Sequence, residues 1–159
     1  PVAAAAETLE AVGNAFDAGL AGAVMTFVAA AVFAAPGGGG FLMARRAGRA
    51  EAALFDFFVE TPLKRRENAA FFPIDADFGP AKQEFHIGQG STAAPGAIPG
   101  LFAIHEPLCP LPMKRLAEPA SRAARDGLPL TALQAFLFTV IAPMHRLTTL
   151  RDRASLPST

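Results

Sequence analysis

Residues 18–35 form an unbroken apolar run, and this run limits the chain to two kinds of structure. Thr26 is the only polar side chain in it, and its length reaches the ~18 residues at which a membrane span becomes possible. The run is mostly alanine and glycine, and no cluster of lysine or arginine precedes it. Membrane-spanning helices are normally richer in large apolar residues and flanked by basic ones. We therefore predict a buried helix of a globular protein, with a membrane anchor as the alternative.

The charge balance and the few metal-binding side chains exclude several functions. Lysine plus arginine number 14 and aspartate plus glutamate also number 14. Binding to nucleic acid or anionic lipid through charge needs a basic excess. The single Cys109 cannot close an intrachain disulfide, and the three scattered histidines show no zinc-ligand spacing. We expect no nucleic-acid partner, no metal and no cofactor.

The spacing of apolar residues and the positions of proline and glycine predict a mixed α+β chain with one sheet covered by helices. Pro36, Pro73, Pro80 and Pro143 are expected to end or break elements. Gly127 is expected to cap the C-terminus of a helix, and Thr131-Ala132-Leu133-Gln134 has the spacing of a capping box at the start of the next helix. Alternation over residues 83–88 places Phe85 and Ile87 on one face of a strand and His86 on the other, so His86 reads as a sheet-face residue. The predicted helices cover residues 3–12, 18–35, 101–105, 113–126 and 133–142, and the predicted strands cover residues 41–44, 53–60 and 83–88.

Four glycines, residues 37–40, follow Pro36 and raise the question of phosphate binding. A glycine-rich turn that cradles phosphate comes after a strand and opens a helix. Here a helix precedes the glycines and a strand follows them. We predict that the glycines permit close backbone packing where the helix gives way to a sheet.

Three stretches of the chain, in order, resemble the motifs of one protein family. The first is Gly13-Asn14-Ala15-Phe16-Asp17-Ala18, then an apolar helix, then Gly37-Gly38-Gly39-Gly40-Phe41. The second is Asp56 with Glu60-Thr61-Pro62. The third begins with Pro95-Gly96-Ala97-Ile98-Pro99-Gly100-Leu101 and continues through Ile104-His105, Leu111-Pro112, Leu116, Pro119-Ala120 and Arg125-Asp126-Gly127. These stretches resemble the GNA-x-DA helix with its glycine-rich turn, the D-x-RE-x-AP strand end and the PG-x-x-x-GL segment of gamma-glutamyltranspeptidases. The resemblance reaches to about residue 143 and concerns the front part of the family's large chain.

This resemblance implies a fold, a reaction and a partner. The fold is the four-layer αββα sandwich of N-terminal nucleophile (Ntn) hydrolases, of which this chain is a partial, large-chain portion. The family's precursor cuts itself, and the threonine that begins the small chain becomes the nucleophile. The amino group freed by the cut supplies the base that the hydroxyl needs. The implied reaction moves a γ-glutamyl group from glutathione or a similar amide to water or an amino acid.

The nucleophile that the resemblance requires is not assigned within this chain. Thr148-Thr149 resembles the paired threonines that open the small chain, but nothing after Leu150 resembles the rest of it. We therefore name no catalytic residue and expect a Thr-initiated small chain of the same precursor as the partner.

The substrate contacts also depart from the family pattern. In the family, an arginine of the D-x-RE motif binds the α-carboxylate of the substrate. The aligned stretch here is Phe57-Phe58-Val59, which contains no arginine. Either a basic residue of the following loop reaches back, or the acyl group lacks that carboxylate. The candidate substrate-binding residues are Glu60, Lys64, Arg65 and Arg66. A solvated loop is the simpler interpretation of the three basic residues, and a cephalosporin-acylase-like amidase acting on glutaryl-type side chains is the alternative function.

We predict a single partial domain over residues 1–159, with a frayed tail at residues 144–159. An inactive structural remnant is the non-enzymatic alternative. Relatives of this kind are periplasmic, secreted or cytoplasmic, and no signal peptide with a basic start is seen, so the compartment is left open. An incomplete sandwich should leave an apolar sheet face uncovered.

Overall fold

The computed structural model describes residues 1–64 and 66–154, with side chains as far as residue 146. Five α-helices and four strands occur in the described residues. The helices are α1 (Val2–Glu10), α2 (Ala15–Ala29), α3 (Ala97–Leu108), α4 (Met113–Asp126) and α5 (Ala132–Ala154). The strands are β1 (Phe41–Ala44), β2 (Ala53–Asp56), β3 (Phe72–Asp77) and β4 (Lys82–Ile87), and a short 3₁₀ helix covers Gln89–Ser91.

The chain divides into two compact units. Unit 1 comprises Pro1–Glu60 and Ala94–Pro129, and unit 2 comprises Thr61–Ala93 and Leu130–Thr159. Each unit contains one antiparallel hairpin, β1–β2 in unit 1 and β3–β4 in unit 2. The expectation of one sheet is therefore wrong for the described residues, which form two separate two-stranded sheets. The single partial domain over residues 1–159 stays a prediction.

Unit 1 is built around a small apolar core supplied by helices. Side chains from α2, α3 and α4 fill it, and the inward face of the β1–β2 hairpin packs against them. The fully enclosed members are Leu20, Ala21, Leu101, Ile104 and Leu116. Complete removal of a leucine or isoleucine side chain from water stabilises a fold by about 1.5–3 kcal/mol. The core therefore fixes how the motif-bearing segments of unit 1 meet.

Helix α2 begins at Ala15, before the predicted start at Ala18, and it ends before the predicted end at Ala35. The side chain of Asn14 caps its first turn, and Asp17 completes a capping box. The helix ends at Ala29, and Phe33 donates its N–H to the carbonyl of Ala30 in the turn that follows. Pro36 is therefore not what ends the helix. None of the helices in the described residues combines the length and apolar character that crossing a bilayer requires.

One face of the β1–β2 hairpin is apolar and exposed. The pair Leu42 and Phe55 points toward the core, because side chains alternate across a strand. Met43 and Leu54 pair on the opposite face and are 75% and 62% exposed. We call Phe41, Met43, Leu54 and Phe58, which are all exposed, the open apolar face. This face agrees with the uncovered sheet that an incomplete sandwich predicts.

Unit 2 combines the β3–β4 hairpin with helix α5. Strand β4 is the alternating strand predicted from the sequence, and His86 lies on its exposed face, stacked on Phe71 with ring centroids 4.5 Å apart. Strand β3 was not predicted, because Pro73 was expected to break any element there. The structure pairs Pro73 with His86. A two-stranded sheet consists only of edge strands, and an edge strand tolerates a proline because one side needs no hydrogen-bond donor.

Helix α5 begins with the predicted capping box and does not end at Pro143. Thr131 donates its backbone N–H to the side chain of Gln134 at 2.9 Å, and Gln134 donates its N–H to the hydroxyl of Thr131 at 3.2 Å. The helix continues past Pro143 to Ala154, so the expectation of a break is wrong. A proline removes one intrahelical hydrogen bond and can kink a helix without ending it. Residues 155–159 lie outside the described residues, and the frayed tail stays a prediction.

Candidate functional site

The first motif stretch ties the start of α2 to the connection between α3 and α4. The side chain of Asn14 donates to the carbonyl oxygen of Leu108 at 2.8 Å. The carboxylate of Asp17 accepts the backbone N–H of Asn14 at 2.8 Å and that of Leu111 at 3.2 Å. Asp17 is fully buried. A buried carboxylate is tolerated only when hydrogen bonds replace water, so these contacts hold the α3–α4 connection in place.

Gly13 shows why this stretch needs its glycine. A Cβ atom at Gly13 would lie 2.7 Å from the carbonyl oxygen of Thr8 and 3.0 Å from the Cδ1 atom of Leu111. His105 also contacts the connection, through a 2.7 Å hydrogen bond between its Nε2 and the carbonyl of Leu111. The GNA-x-DA residues therefore act in positioning.

The glycine run of the first stretch meets the third stretch beside Phe57. The carbonyl of Gly38 accepts the N–H groups of Gly96 at 3.0 Å and of Ala97 at 2.9 Å. Phe57 and Gly40 exchange backbone hydrogen bonds of 3.0 and 3.2 Å, which extends the β1–β2 ladder. The glycine run thus joins the hairpin to the start of α3.

Phe57 fills the space that the glycines leave. Cβ atoms built at Gly39, Gly96 and Gly100 would lie 2.5, 2.2 and 2.3 Å from atoms of Phe57. Such separations are far inside van der Waals contact, so no other residue fits these positions without displacing Phe57. The prediction that the glycine run permits close backbone packing is confirmed at Gly39, whereas a Cβ atom built at Gly37 would meet no neighbouring atom within 4 Å.

The strand end that follows β2 opens into a cavity of about 330 Å³, which we call the strand-end cavity. Its walls combine residues 56–58 with the start of α3. The lining residues are Asp56, Phe57, Phe58, Glu60, Ala94, Pro95, Gly96, Pro99, Gly100 and Ala103. Because two of the three motif stretches contribute these residues, this cavity is the candidate functional site.

Hydrogen bonds fix the backbone at the mouth of the strand-end cavity. The side chain of Asp56 accepts the N–H of Phe58 at 3.1 Å and so turns the chain after β2. Glu60 and Ala94 form an isolated bridge with hydrogen bonds of 3.1 and 2.7 Å. The side chains of Asp56 and Glu60 are exposed.

Three of the four predicted substrate-binding residues lie in the described part of the chain. Glu60 lines the strand-end cavity in unit 1. Lys64 and Arg66 are exposed residues of unit 2, and Arg65 lies outside the described residues. The role of all four in binding stays a prediction. Thr148 and Thr149 lie within the backbone of α5, and their side chains are outside the described part.

Phe58 is a site residue to which the sequence analysis gave no role. Its ring stacks on that of Phe41, with centroids 5.4 Å apart and planes 11° from parallel. Both rings are more than half exposed. The available signal was the Phe57-Phe58-Val59 stretch itself, because it puts an aromatic side chain at a strand end where the family motif has charged residues.

Two further features of unit 1 lie apart from the strand-end cavity. A cavity of about 740 Å³ lies beside the start of α2 and is lined partly by Arg45, Arg46 and Arg49. Arg46 already donates to the carbonyl of Pro107. Burial, the negative charge of Asp17 and a hydrogen bond with Asp17 together raise the pKa of the Cys109 thiol to about 11. The thiol is therefore neutral near pH 7 and unsuited to nucleophilic attack.

No three histidine, cysteine, aspartate or glutamate side chains in the described part of the chain are placed to hold a metal ion.

Comparison with known proteins identifies the fold class. The chain superposes on gamma-glutamyltranspeptidase from Pseudomonas nitroreducens, solved in complex with L-DON, with a TM-score of 0.73 and 24% identity over 93% of this chain and 43% of that one. It superposes on the Bacillus anthracis transpeptidase enzyme CapD with a TM-score of 0.71 and 20% identity over 89% of this chain and 42% of that one. The chain therefore has the α+β fold of Ntn hydrolases, and it spans part of that fold.

Sequence comparison identifies the family. The family model for gamma-glutamyltranspeptidase matches residues 2–152. Glutathione hydrolase 2 of Arabidopsis thaliana is 30% identical over 119 residues, which cover 75% of this chain and 19% of the plant protein. The chain belongs to the gamma-glutamyltranspeptidase family, and it spans about a fifth of the length of this plant relative.

Proposed function

We propose that this chain is part of an enzyme that transfers an acyl group from an amide to water or to an amino acid. The observation that carries the proposal is the convergence of the family's motif stretches in unit 1. Gly38 bonds to Gly96, and Phe57 packs on Gly39, Gly96 and Gly100. These contacts form the walls of the strand-end cavity. Glutathione and similar γ-glutamyl amides are the donors that family membership suggests.

The nucleophile of the proposed reaction is a threonine at the start of a small chain from the same precursor. Its hydroxyl oxygen attacks the amide carbon, and the amino group of the same residue takes the hydroxyl proton. The C–N bond of the donor then breaks, the proton passes to the leaving amine, and an acyl ester of threonine remains. Water or an amino acid releases the acyl group from this ester. In this proposal the present chain supplies scaffold and a cavity wall.

The open apolar face is where the small chain is proposed to pack. Phe41, Met43, Leu54 and Phe58 form an exposed sheet face next to the strand-end cavity. Exposed apolar patches of this kind mark interaction surfaces. Covering the face with a second sheet would bury these side chains and bring the small chain's first residue near the cavity.

An acyl-transfer assay tests this proposal. The chain alone should release no p-nitroaniline from γ-glutamyl p-nitroanilide, whereas the matured enzyme that contains both chains should release it. A matched enzyme whose first small-chain threonine is replaced by alanine should lose at least ~10³-fold in kcat, as expected for the loss of a covalent nucleophile. Release by the chain alone would show that the nucleophile lies in this chain and that its assignment to the small chain is wrong. A matured enzyme that cleaves no amide would refute the proposed reaction.

The cephalosporin-acylase-like alternative differs in the acyl group. A glutaryl group keeps the terminal carboxylate of a γ-glutamyl group and lacks the amine. Both groups bring one carboxylate to the strand-end cavity, where Asp56 and Glu60 already supply two. Assays with both anilides compare these two donors directly.

A further inference from the structure

The turn between β1 and β2 gathers three arginines beside the start of α2. The N–H of Arg49 donates to the carbonyl of Arg46 at 3.1 Å, which closes a four-residue turn. Gly48 adopts a φ of 74° at the third position of this turn, where glycine is favoured because a side chain would be strained. The turn therefore holds Arg46 and Arg49 at its two ends, with Arg45 next to them.

These arginines line the cavity of about 740 Å³ beside the start of α2, which we call the arginine cavity. Its lining residues are Asn14, Ala15, Phe16, Arg45, Arg46, Ala47, Gly48, Arg49 and Ala50. Binding sites for small molecules commonly enclose ~300–1,000 Å³. Three of the described residues that line this cavity are cations and none is acidic, so the arginine cavity suits an anion.

Carboxylates do not neutralise these three guanidinium groups in the described part of the chain. On α4, by comparison, Arg122 pairs with Glu7 at 3.1 Å. The ion pairs among the described residues include none of the three arginines of the cavity. Glu106 lines an adjoining cavity of about 440 Å³ together with Arg46 and forms no ion pair with it. Like charges gathered in one turn repel each other, and a bound anion would relieve that repulsion.

Arg46 is already held in place by a contact with α3. Its guanidinium donates to the carbonyl of Pro107, near the end of that helix. A guanidinium carries five N–H donors, so this contact leaves other donors available. Because its side chain is already ordered, Arg46 would lose less conformational freedom when it binds a ligand.

The number of donors favours a phosphate group over a carboxylate. A carboxylate is planar and accepts one guanidinium fork, whereas a phosphate group carries about two negative charges and three strong acceptor oxygens. Three guanidinium groups around one cavity match the phosphate. The 14 basic and 14 acidic residues of the chain balance, so no net positive charge attracts a large polyanion or a membrane surface. A small ligand that meets only the local cluster is therefore favoured.

The arginine cavity is separate from the strand-end cavity. The β1–β2 ladder runs from Phe41 paired with Asp56 to Ala44 paired with Ala53, so the two cavities lie at opposite ends of the hairpin. Helix α2 packs on the core-facing side of the hairpin. The wall that α2 contributes therefore lies on the side opposite the open apolar face, where the small chain is proposed to pack.

We propose that the arginine cavity binds a small soluble molecule that carries a phosphate group. Arg45, Arg46 and Arg49 hold the phosphate oxygens, and the half-buried ring of Phe16 forms an apolar part of the wall. The site is distinct from the site of acyl transfer and does not depend on that reaction. Because the ligand bridges the hairpin turn and α2, binding should also raise the melting temperature.

The experiment measures anion binding to the matured protein that contains this chain by isothermal titration calorimetry. The probes are pyrophosphate, inorganic phosphate and citrate, each at low and at high sodium chloride. We expect pyrophosphate to bind at least about 10-fold more tightly than citrate or inorganic phosphate, because one further charge-assisted contact is worth about that factor. Binding should weaken as the salt concentration rises.

Variants then assign the binding to the arginine cavity. Arg45→Gln with Arg49→Gln should weaken pyrophosphate binding at least about 10-fold, while Arg46 is kept because it also contacts α3. Lys114→Gln with Arg115→Gln is the matched control, because it removes the same charge from exposed positions of α4 outside the cavity. The control should change the dissociation constant by less than about 3-fold, since solvent and salt screen distant surface charges. Far-ultraviolet circular dichroism checks that both double variants are folded.

Several results would overturn the inference. Equal weakening by the two double variants would show that net charge, and not the cavity, attracts the anion. Citrate binding as tight as that of pyrophosphate would refute the phosphate class. Sedimentation with phosphatidic acid vesicles that pyrophosphate does not displace would assign the arginines to a membrane surface. The absence of any binding heat or melting shift with pyrophosphate would refute the site itself.

The outcomes also separate this inference from the proposed function. Saturating L-glutamate, which a γ-glutamyl donor releases on hydrolysis, should leave pyrophosphate binding unchanged. Competition between the two would show that the arginine cavity belongs to the acyl-transfer site and would refute a separate site. A protein that binds pyrophosphate as expected but cleaves no amide keeps this inference and refutes acyl transfer, whereas the reverse result refutes only this inference.

Discussion

Replacing Gly100 with alanine tests whether the contact between Phe57 and the glycines stabilises unit 1. Gly100 lies inside α3, where alanine is favoured over glycine by up to ~1 kcal/mol. The added methyl carbon would lie 2.3 Å from the Cβ and Cγ atoms of Phe57. Overpacking of this kind costs about 1–3 kcal/mol or more, because side chains and backbone must shift. The overpacking term exceeds the helix term, so we expect a net loss of about 1–2 kcal/mol in the free energy of unfolding.

The matched control is Gly19→Ala in α2. Gly19 is exposed and helical, and none of the described atoms lies within 4 Å of a Cβ built there. This substitution should therefore raise the free energy of unfolding by about 0.5–1 kcal/mol. Because the sequence contains no tryptophan and no tyrosine, urea unfolding is best followed by far-ultraviolet circular dichroism. A Gly100→Ala variant as stable as Gly19→Ala would refute the packing argument.

Two further predictions concern the thiol and the open apolar face. The raised pKa of Cys109 should make its alkylation by iodoacetamide at pH 8 about 100-fold slower in the folded chain than in urea. Since the folded thiol holds its proton up to a pH of about 11 and the unfolded one only to about 9, stability should fall as the pH rises from 9 toward 11, and a Cys109→Ala variant should lose that dependence. On the open apolar face, Met43→Thr with Leu54→Thr should reduce self-association in sedimentation velocity and change stability by less than about 0.5 kcal/mol. Leu42→Thr on the core face should instead destabilise by about 2 kcal/mol, and equal effects on both faces would contradict the assignment of faces.

Helices whose ends are marked by a proline, a glycine or a capping box were predictable from the sequence. Helix α4 has the boundaries expected from Pro112 before it and Gly127 after it, where Gly127 adopts a φ of 81°. The capping box at Thr131 is also formed as predicted. In both cases the signal lies within a few residues of the boundary that it sets, so the sequence alone contains the information.

Elements that depend on a partner strand or on helix context were not predictable in the same way. Pro73 was interpreted as a break, although a hairpin strand can accommodate it on its outer side. Pro143 was expected to end α5, yet the residues before and after it are both helical. The local rule gives the free-energy cost of placing a proline inside a helix or strand. It does not say whether contacts elsewhere in that element stabilise it by more than this cost.

The candidate site was predictable in part. The motif stretches were recognised along the chain, and the packing role of the glycine run followed from the order of elements around it. What the sequence could not show is that Phe57 fills the gaps at glycines of two distant stretches, because contacts between residues 39 and 100 depend on the folded core. Phe58 was noted as a departure from the family pattern, but its exposure and its stacking on Phe41 required the structure.

The bridge between Glu60 and Ala94 has a consequence for how this chain can vary. Glu60 is the last residue of unit 1 before residues 61–93, and Ala94 is the first residue of unit 1 after them. The chain therefore leaves unit 1 and returns to it at two residues that are hydrogen-bonded to each other. Doubling the length of a loop closed in this way costs only about 0.6 kcal/mol of closure entropy. Insertions, deletions or a replacement hairpin between these two residues should therefore be tolerated while unit 1 keeps its core and cavity, and relatives are expected to differ most in length at this interruption.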